Sequence, residues 1–317
     1  MLKQLLYYFE GLDESILNLN KCIVEDDFEF EKYTLEQFEK KFKRRFKNII
    51  QENHPLGFVG AVSRLGCFNK EIFQNGYILF LNDNTKNPLE DAIDIRLENL
   101  IQNLKFFKHG HIKLVSAFEF PSEESDFIGP VIFSSPSKEI KNRYTLSNED
   151  ILKIKFFKQQ YKPHQYIELA FHTFLESYNI EDEKLKFVVL MVCLESIFNK
   201  SKDEPIRHII SRHAALTITR DKQMFAEKVK RLKFLYDLRS SLVHGKEENK
   251  EDNKEHKKYK QILDNIHEYV LELEELVRSV LRQLIVDKQL FGSATPETKE
   301  ELFNRLNESS INGIILN

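Results

Sequence analysis

The sequence predicts an α+β protein in which a mixed α/β N-terminal domain precedes an all-α helical bundle. Gly (10) and Pro (8) are scarce among the 317 residues, which favours helix over loop-rich β architectures. Apolar residues recur at helical spacing almost continuously from about 150 to 290, whereas residues 1–150 mix short apolar runs with helical segments. We therefore expect domains at 1–150 and 151–290, followed by a helical tail at 291–317.

Composition and charge narrow the class of protein. Hydrophobic residues make up 41% of the chain, and 47 Lys and Arg nearly balance 50 Asp and Glu. The net charge of −3 excludes a uniformly basic nucleic-acid coat. Three widely separated cysteines form no disulfide framework, and no signal peptide is recognisable at the start. The longest fully apolar run, 187–194, is far shorter than the roughly 20 residues of a membrane span, so we expect a cytoplasmic protein without a membrane partner.

The first half contains one clear helix and several strand-like runs. Thr34 and Gln37 have the spacing of a capping box, and apolar residues then recur at helical spacing as far as Asn53. A second helix is predicted over 95–107. Short apolar runs bounded by Gly, Pro and Asn predict strands at 56–62, 77–81, 112–120 and 131–133.

Five amphipathic helices are predicted in the second half. The stretch 183–199 is apolar nearly all round its middle, which indicates a buried central helix. Asp203 and Pro205 begin the next helix, and Asp221 and Gly245 cap the two ends of the one after it. The other two of these five are 164–178 and 259–285, and the tail has one more helix, which begins at Thr295 and Pro296. Amphipathic stripes joined by short connections imply a helical bundle.

Most motifs of enzyme chemistry are absent from the sequence. There is no glycine-rich phosphate loop, no Gly-x-Ser-x-Gly and no His-Glu-x-x-His. His109 and His111 flank a glycine between an apolar helix and a strand, without a third ligand nearby, so a turn is favoured over a metal site. Cys193 lies in the most apolar helix and is expected to be an inert core thiol. We accordingly expect no metal and no cofactor.

One segment, residues 235–245, does offer a chemistry. It places Arg239 and His244 near a helix end within an otherwise apolar stripe. A histidine that titrates near neutrality can take the 2′-hydroxyl proton of RNA or protonate the leaving 5′-oxygen. A guanidinium can hold the phosphate through two hydrogen bonds and stabilise its developing charge. These are the groups needed to cleave RNA to a 2′,3′-cyclic phosphate without a metal.

Helix geometry constrains how such a pair could act. Five residues along an α-helix give about 7.5 Å of rise and about 140° of net rotation. Either the helix end is distorted, or Arg239 and His244 of two protomers converge across the two-fold axis of an isologous dimer. The spacing alone carries little weight, because Arg207 and His213 show a similar one. The structural alternative is an arginine that extends its head group to solvent and a histidine that interacts with the helix dipole.

The wider context of the segment, Leu-Tyr-Asp-Leu-Arg-Ser-Ser-Leu-Val-His-Gly, resembles the signature helix of the Apea-like HEPN family. Upstream, 167–178, 189–198 and 206–216 resemble, in order, the earlier helices of that family's bundle. The resemblance covers about 150–290 well and 90–150 loosely. It implies a dimerising helical bundle whose composite site cleaves RNA without a metal, in antiviral defence, abortive infection or a toxin system.

Carried onto this chain, the resemblance makes Arg239 and His244 the catalytic pair. Ser240 occupies the polar position that follows the arginine, with Tyr236 and Asp237 as supporting residues.

Further site residues are secondary candidates. Glu195, the acid of the predicted central helix, is read first as a structural hydrogen-bonding group and second as a site residue. Arg212 is the other secondary candidate. The excess of positive charge around the motif adds weaker RNA-binding candidates, which are Lys230, Arg231, Lys233 and Lys246.

The expected partners are RNA and a second copy of this chain, with an antitoxin or trigger protein as a further partner. The N-terminal domain would sense the trigger or restrain the activity. A second hypothesis is a non-catalytic HEPN-like module that binds RNA or protein without cutting. A His244 that faces a two-fold cleft beside Arg239 favours catalysis, whereas burial of both side chains in ion pairs within one protomer favours binding.

Overall fold

The structure is a computed structural model that separates the chain into two compact units, Met1–Lys155 and Phe156–Asn317. The N-terminal unit contains a β-sheet and helices, and the C-terminal unit is helical, so the described chain is α+β. The residues described are 4–21, 28–34, 37, 40–41, 78–83, 90–110, 112–120, 130–132, 143–160, 164–199, 205–244, 261–287 and 296–311.

The N-terminal unit is built on a five-stranded sheet in which every neighbouring pair is antiparallel, in the order β2-β3-β1-β4-β5. The strands are β1 (Gln4–Glu10), β2 (Phe28–Tyr33), β3 (Ile78–Asp83), β4 (Lys113–Phe120) and β5 (Pro130–Ile132). A 3₁₀ helix, Glu14–Lys21, follows β1, and α1 (Glu90–Phe107) precedes β4.

Three predicted strands are confirmed as β3, β4 and β5, with ends within two residues of the prediction. The predicted strand 56–62 lies outside the described residues. Strand β1 is not predicted from the sequence, because Tyr7, Tyr8 and Phe9 are buried in succession and this central strand therefore shows no alternation. Strand β2 is not predicted either, although aromatic and charged residues alternate from Phe28 to Glu31.

The capping box in the first half is confirmed. The backbone N–H of Gln37 donates to Thr34 Oγ1 (3.2 Å), and the backbone N–H of Thr34 donates to Gln37 Oε1 (2.9 Å). The continuation of that helix to Asn53 lies outside the described residues beyond Lys41. The second predicted helix is present as α1 and begins five residues earlier than expected, at Glu90 instead of residue 95.

Helix α2 (Asn148–Gln160) spans the division between the units. The C-terminal unit contains α3 (Gln165–Glu176), α4 (Glu183–Phe198), α5 (Ile206–Ile218), α6 (Lys222–His244), α7 (Ile266–Arg282) and α8 (Lys299–Ile311). Within it α4 contacts α3, α5, α6 and α7, and α8 contacts α5. Ser177–Asn179 forms a 3₁₀ helix and Gln283–Asp287 a π-helix.

Several helix ends differ from the prediction for local reasons. Asp221 is confirmed as a cap, because its Oδ1 accepts from the backbone N–H of Met224 at 2.7 Å. Pro205 stands one residue before α5 instead of inside its first turn.

The predicted start of the tail helix is wrong: Thr298 Oγ1 accepts from the backbone N–H of Glu301 at 3.2 Å. Thr298 has a glutamate three residues on, as a capping box requires. Three predicted cap residues lie outside the described residues: Asp203, Gly245 and Thr295.

A buried charge network joins the centre of the C-terminal unit. Arg278 and Glu274 of α7 are both only 1% exposed and form an ion pair one helical turn apart. Arg278 Nη2 donates to the hydroxyl of Tyr178 (2.7 Å), which donates in turn to Glu274 Oε1 (2.9 Å). Lys186 of α4 lies 3.1 Å from Glu274 Oε2. The network therefore ties α7 to α4 and to the 3₁₀ helix that follows α3, and its charges are paired as buried charges must be.

Removal of one partner from this network should destabilise the unit strongly. We expect Arg278→Leu to lower the free energy of unfolding by about 3–5 kcal/mol, because Glu274 would keep a buried charge without its main partner. Urea unfolding followed by circular dichroism measures the change.

The matched control is Arg305→Leu, which breaks an ion pair of the same helical spacing with Glu301 at a site that is about one-third exposed. Its expected cost is about 0–1 kcal/mol. Equal losses in the two variants would contradict the central role of the Arg278 network.

Candidate functional site

Helix α6 carries every residue of the predicted motif up to His244. Leu232, Leu235 and Leu238 recur at a spacing of three, are all buried, and hold one face of α6 in the core. The helix is continuous from Lys222 to His244. The side chains on its other faces are therefore directed by a regular helical backbone.

Arg239 contacts Glu195 of α4. The Nη2 atom of Arg239 lies 3.4 Å from Glu195 Oε2, and each side chain is 21% exposed. The distance is long for a charge-assisted hydrogen bond, which is typically about 2.7–2.9 Å. Arg239 Nε and Glu195 Oε1 are both buried and have no hydrogen-bond partner among the described residues. The pair thus keeps one donor and one acceptor unused.

Tyr236 belongs to the same cluster, and Asp237 does not. Burial and the carboxylate of Glu195 raise the pKa of the Tyr236 phenol, while the Arg239 guanidinium opposes that shift. Asp237 instead pairs with Arg207 of α5 at 2.6 Å, where both side chains are about half exposed. Of the residues predicted to support Arg239, the structure places Tyr236 and Glu195 beside it and directs Asp237 to another helix.

His244 is exposed at the last residue of α6, and Ser240 is half-buried one residue after Arg239. Because the helix is regular through His244, the side chains of Arg239 and His244 leave it on different sides. The distorted helix end that the sequence leaves open is therefore absent. A single protomer does not bring the predicted catalytic pair together.

Arg212 lies away from the motif. Its Nη1 donates to Asn307 Oδ1 of α8 at 2.9 Å. The neighbouring His213 is buried, with its ring 4.5 Å from the ring of Phe303 and its Nδ1 2.9 Å from the carbonyl oxygen of Ile209. These residues hold α8 on α5. Arg207 and His213, which have a similar spacing in the sequence, therefore do not form a site, because Arg207 faces α6 and His213 faces α8.

The weaker RNA-binding candidates separate into three cases. Arg231 forms two hydrogen bonds with Glu272 of α7, from Nε to Oε1 (2.6 Å) and from Nη2 to Oε2 (2.5 Å), and these bonds raise the pKa of the guanidinium. Arg231 is therefore committed to an intramolecular pair. Lys230 is exposed and Lys233 is half-exposed. Lys246 lies outside the described residues.

Exposed apolar side chains occur on both helices that form the Glu195–Arg239 contact. On α4, Leu185 is 53% and Val192 37% exposed, and on α6 Val243 is 47% exposed. Val192 precedes Glu195 by one helical turn, and Val243 follows Arg239 by one turn. The sequence predicts a buried α4 that is apolar nearly all round its middle, whereas Val192, in that middle, is exposed. We call Leu185, Val192 and Val243 the apolar stripe.

Cys193 and the His109-Gly110-His111 segment lie away from the motif in the sequence. Burial raises the pKa of the Cys193 thiol, as an inert core thiol requires. Gly110 packs against Tyr144, so that a Cβ would lie 2.9 Å from the Tyr144 Cα, while His111 lies outside the described residues. Among the described residues, no three or more His, Cys, Asp or Glu side chains are grouped as a metal site would need. None of the described helices combines the length and apolar character that crossing a membrane requires.

Comparisons with protein-family models, curated proteins and solved structures find no match for this chain.

The long Glu195–Arg239 contact should add little to stability. We expect the double variant Glu195→Met/Arg239→Met to unfold with a free energy equal to that of the wild type or up to about 2 kcal/mol higher. The reason is that it removes two buried polar atoms without partners and fills their volume with apolar groups. Urea unfolding measures the difference.

The control is the double variant Glu274→Met/Arg278→Met in the buried network of α7. This variant also removes the hydrogen bonds to Tyr178 and the contact with Lys186. A loss above about 2 kcal/mol in the Glu195/Arg239 variant would mean that this contact serves stability instead of function.

Proposed function

We propose that this chain is a metal-independent endoribonuclease of the HEPN type that acts as a homodimer. The observation that carries the proposal is the arrangement on α6. One regular helix holds a half-buried Arg239 with an unused hydrogen-bond donor, and five residues later it presents an exposed His244. The two groups are those that RNA transesterification needs, and a second protomer is required to unite them.

In the proposed reaction the phosphate of one RNA linkage exchanges its bond to the 5′-oxygen for a bond to the neighbouring 2′-oxygen. A neutral His244 takes the proton of the 2′-hydroxyl, and the 2′-oxygen forms a bond to the adjacent phosphorus. The bond from phosphorus to the 5′-oxygen breaks, and the protonated His244 of the second protomer gives that oxygen its proton. The products are a 2′,3′-cyclic phosphate and a 5′-hydroxyl. Arg239 stabilises the negative charge that develops on the phosphate oxygens.

Glu195 and Tyr236 act on this reaction through Arg239. Glu195 holds Nη2 at one side of the guanidinium and Nε is buried, so the other amino group, Nη1, is left for the phosphate. Tyr236, three residues before Arg239 on the same helix, keeps its own proton, because burial and Glu195 raise its pKa. The carboxylate fixes the orientation of the arginine at the cost of some repulsion towards the bound phosphate.

The second protomer would cover the exposed apolar stripe of Leu185, Val192 and Val243. A two-fold axis close to the Glu195–Arg239 contact would bury the stripe against its own copy. The same axis would bring the His244 residues towards the arginines. An isologous interface of this kind is the commonest route to a homodimer.

The biological setting follows from the resemblance alone. We propose a cytoplasmic role in antiviral defence, abortive infection or a toxin system, with an antitoxin or trigger protein as regulator and the N-terminal unit as sensor.

A non-catalytic RNA- or protein-binding module is the second candidate. The observation that favours it is the ion pair between Arg239 and Glu195 within one protomer, since an arginine that is already paired is less available to a phosphate. The exposure of His244 favours catalysis instead.

Cleavage of a mixed RNA pool in EDTA tests the proposal. We expect wild-type protein to leave 2′,3′-cyclic phosphate ends, and His244→Ala and Arg239→Ala each to cut at least about 100-fold more slowly, because each removes a group that acts on the transition state.

The matched controls are His172→Ala on α3 and Arg305→Ala on α8, two ionised or ionisable side chains outside the motif. Both should cut at the wild-type rate. Equal cutting by all variants would exclude the assignment of Arg239 and His244.

The dimer is tested separately by Val192→Glu. A charge in the apolar stripe should dissociate the dimer, seen as a halved mass in sedimentation equilibrium, and should abolish cleavage with it. Leu169→Glu on α3 is the control, because Leu169 is exposed to a greater degree and lies on another helix. A Val192→Glu protein that keeps the wild-type mass would rule out this interface.

A further inference from the structure

A cleft lies between α6 and the segment that leads into the beginning of α7. Its volume is about 580 Å³, within the range of small-ligand sites. Its side chains combine two aromatic rings, two cations, two carboxamides, one carboxylate and one aliphatic group: Phe234, Tyr269, Lys230, Arg231, Gln261, Asn265, Glu227 and Ile262. Neither Arg239 nor His244 contributes to it.

The wall of this cleft is a fixed π surface. The rings of Phe234 and Tyr269 are 5.8 Å apart and inclined at 44°. The Arg231 guanidinium lies over both, 4.8 Å from the centre of the Phe234 ring and 5.2 Å from that of Tyr269. The two hydrogen bonds from Glu272 hold the guanidinium in that position. Because the rings are inclined and Arg231 lies over one side of both, a base can stack on the free face of one ring and meet the other at an angle. Because Glu272 neutralises the arginine, the wall offers π surface more than charge for a phosphate.

The rim of the cleft carries polar side chains that can bind the edge of a nucleobase or a phosphate. Gln261 is exposed, and Asn265 donates through Nδ2 to the backbone carbonyl of Gln261 (2.9 Å), which leaves its Oδ1 as an acceptor. Side-chain amides of this kind pair with the edges of nucleobases. Lys230 places an exposed ammonium on the same rim, where a phosphate would meet it.

The cleft also lies within reach of the motif. Phe234 and His244 are ten residues apart on α6, which corresponds to about 15 Å along the helix and about 80° around it. A single strand of a few nucleotides spans such a distance.

We propose that this cleft binds a nucleobase, stacked on Phe234 with Tyr269 against its edge, and with its phosphate towards Lys230 and away from Glu227. Stacking of a base on an aromatic side chain is worth enough to make such a site measurable. Where the base belongs to an RNA strand, the inference rests on the proposed ribonuclease function. Where it belongs to a free nucleotide, the inference stands without that function.

The absence of tryptophan from the chain permits a clean test. Phe234→Trp introduces a single indole into the cleft, and a stacked base quenches its fluorescence. The probes are adenosine monophosphate and an eight-residue 2′-O-methyl oligoadenylate, which has no free 2′-hydroxyl and cannot be cleaved. We expect saturable quenching by the oligonucleotide, weakened at least tenfold by an added Tyr269→Ala or Lys230→Glu. The reporter control is Leu152→Trp, an exposed site of the N-terminal unit that should not respond.

Binding is also measured without the indole, by the anisotropy of a labelled copy of the same oligonucleotide. Wild-type protein should bind it at least tenfold more tightly than Phe234→Ala. The same measurement is made on Lys230→Glu. Because Lys230 is an exposed rim residue with no place in the core, weaker binding by this variant does not result from misfolding.

The outcomes separate the sources of the base. Quenching by the oligonucleotide alone supports a strand site, and quenching by both probes supports a nucleotide site as well. No saturable quenching by either probe, or quenching that Tyr269→Ala leaves unchanged, overturns the proposal even if RNA is still cleaved. Quenching in a protein that does not cleave RNA would support the cleft independently of the proposed ribonuclease function.

Discussion

The helical unit depends on the burial of one arginine. Arg278 of α7 is 1% exposed, yet it satisfies its charge through Glu274 and through the Tyr178 hydroxyl, and Lys186 of α4 completes the set. A buried charge is tolerated only where its partners are correctly placed, so the network selects one arrangement of α7 against α4. The position of α4 in turn determines where Glu195 meets Arg239.

Helix α6 performs three tasks. Leu232, Leu235 and Leu238 fill the core, Arg239 turns towards Glu195, and Phe234 faces α7 across the cleft. The contrast between its two arginines is instructive. Arg231 is fully committed to Glu272 at short distances, whereas Arg239 has a long contact and an unused donor. Arg231 and Arg239 carry the same charge, and only their surroundings distinguish them.

The sequence predicts elements that local rules specify and misses those that neighbours specify. The capping pair of Thr34 and Gln37 and the Asp221 cap follow from residue spacing and are present. The consecutive buried aromatics of β1 carry no periodic signal, because both faces of a central strand are covered. In the candidate site, spacing places Arg239 and His244 on one helix. Only the packing of α4 and α5 shows that Glu195 and Tyr236 belong with Arg239 while Asp237 belongs with Arg207.

The contact of α8 with α5 has a consequence for synthesis. Arg212 and His213 meet Asn307, a residue more than ninety positions later in the chain. A nascent chain that has emerged only as far as α7 therefore lacks the helix that covers His213. Because domains fold as they leave the ribosome, the sheet-containing unit can complete itself well before the bundle does. A chain truncated before α8 would therefore keep the complete N-terminal unit, while Arg212 and His213 would lose their contacts with Asn307.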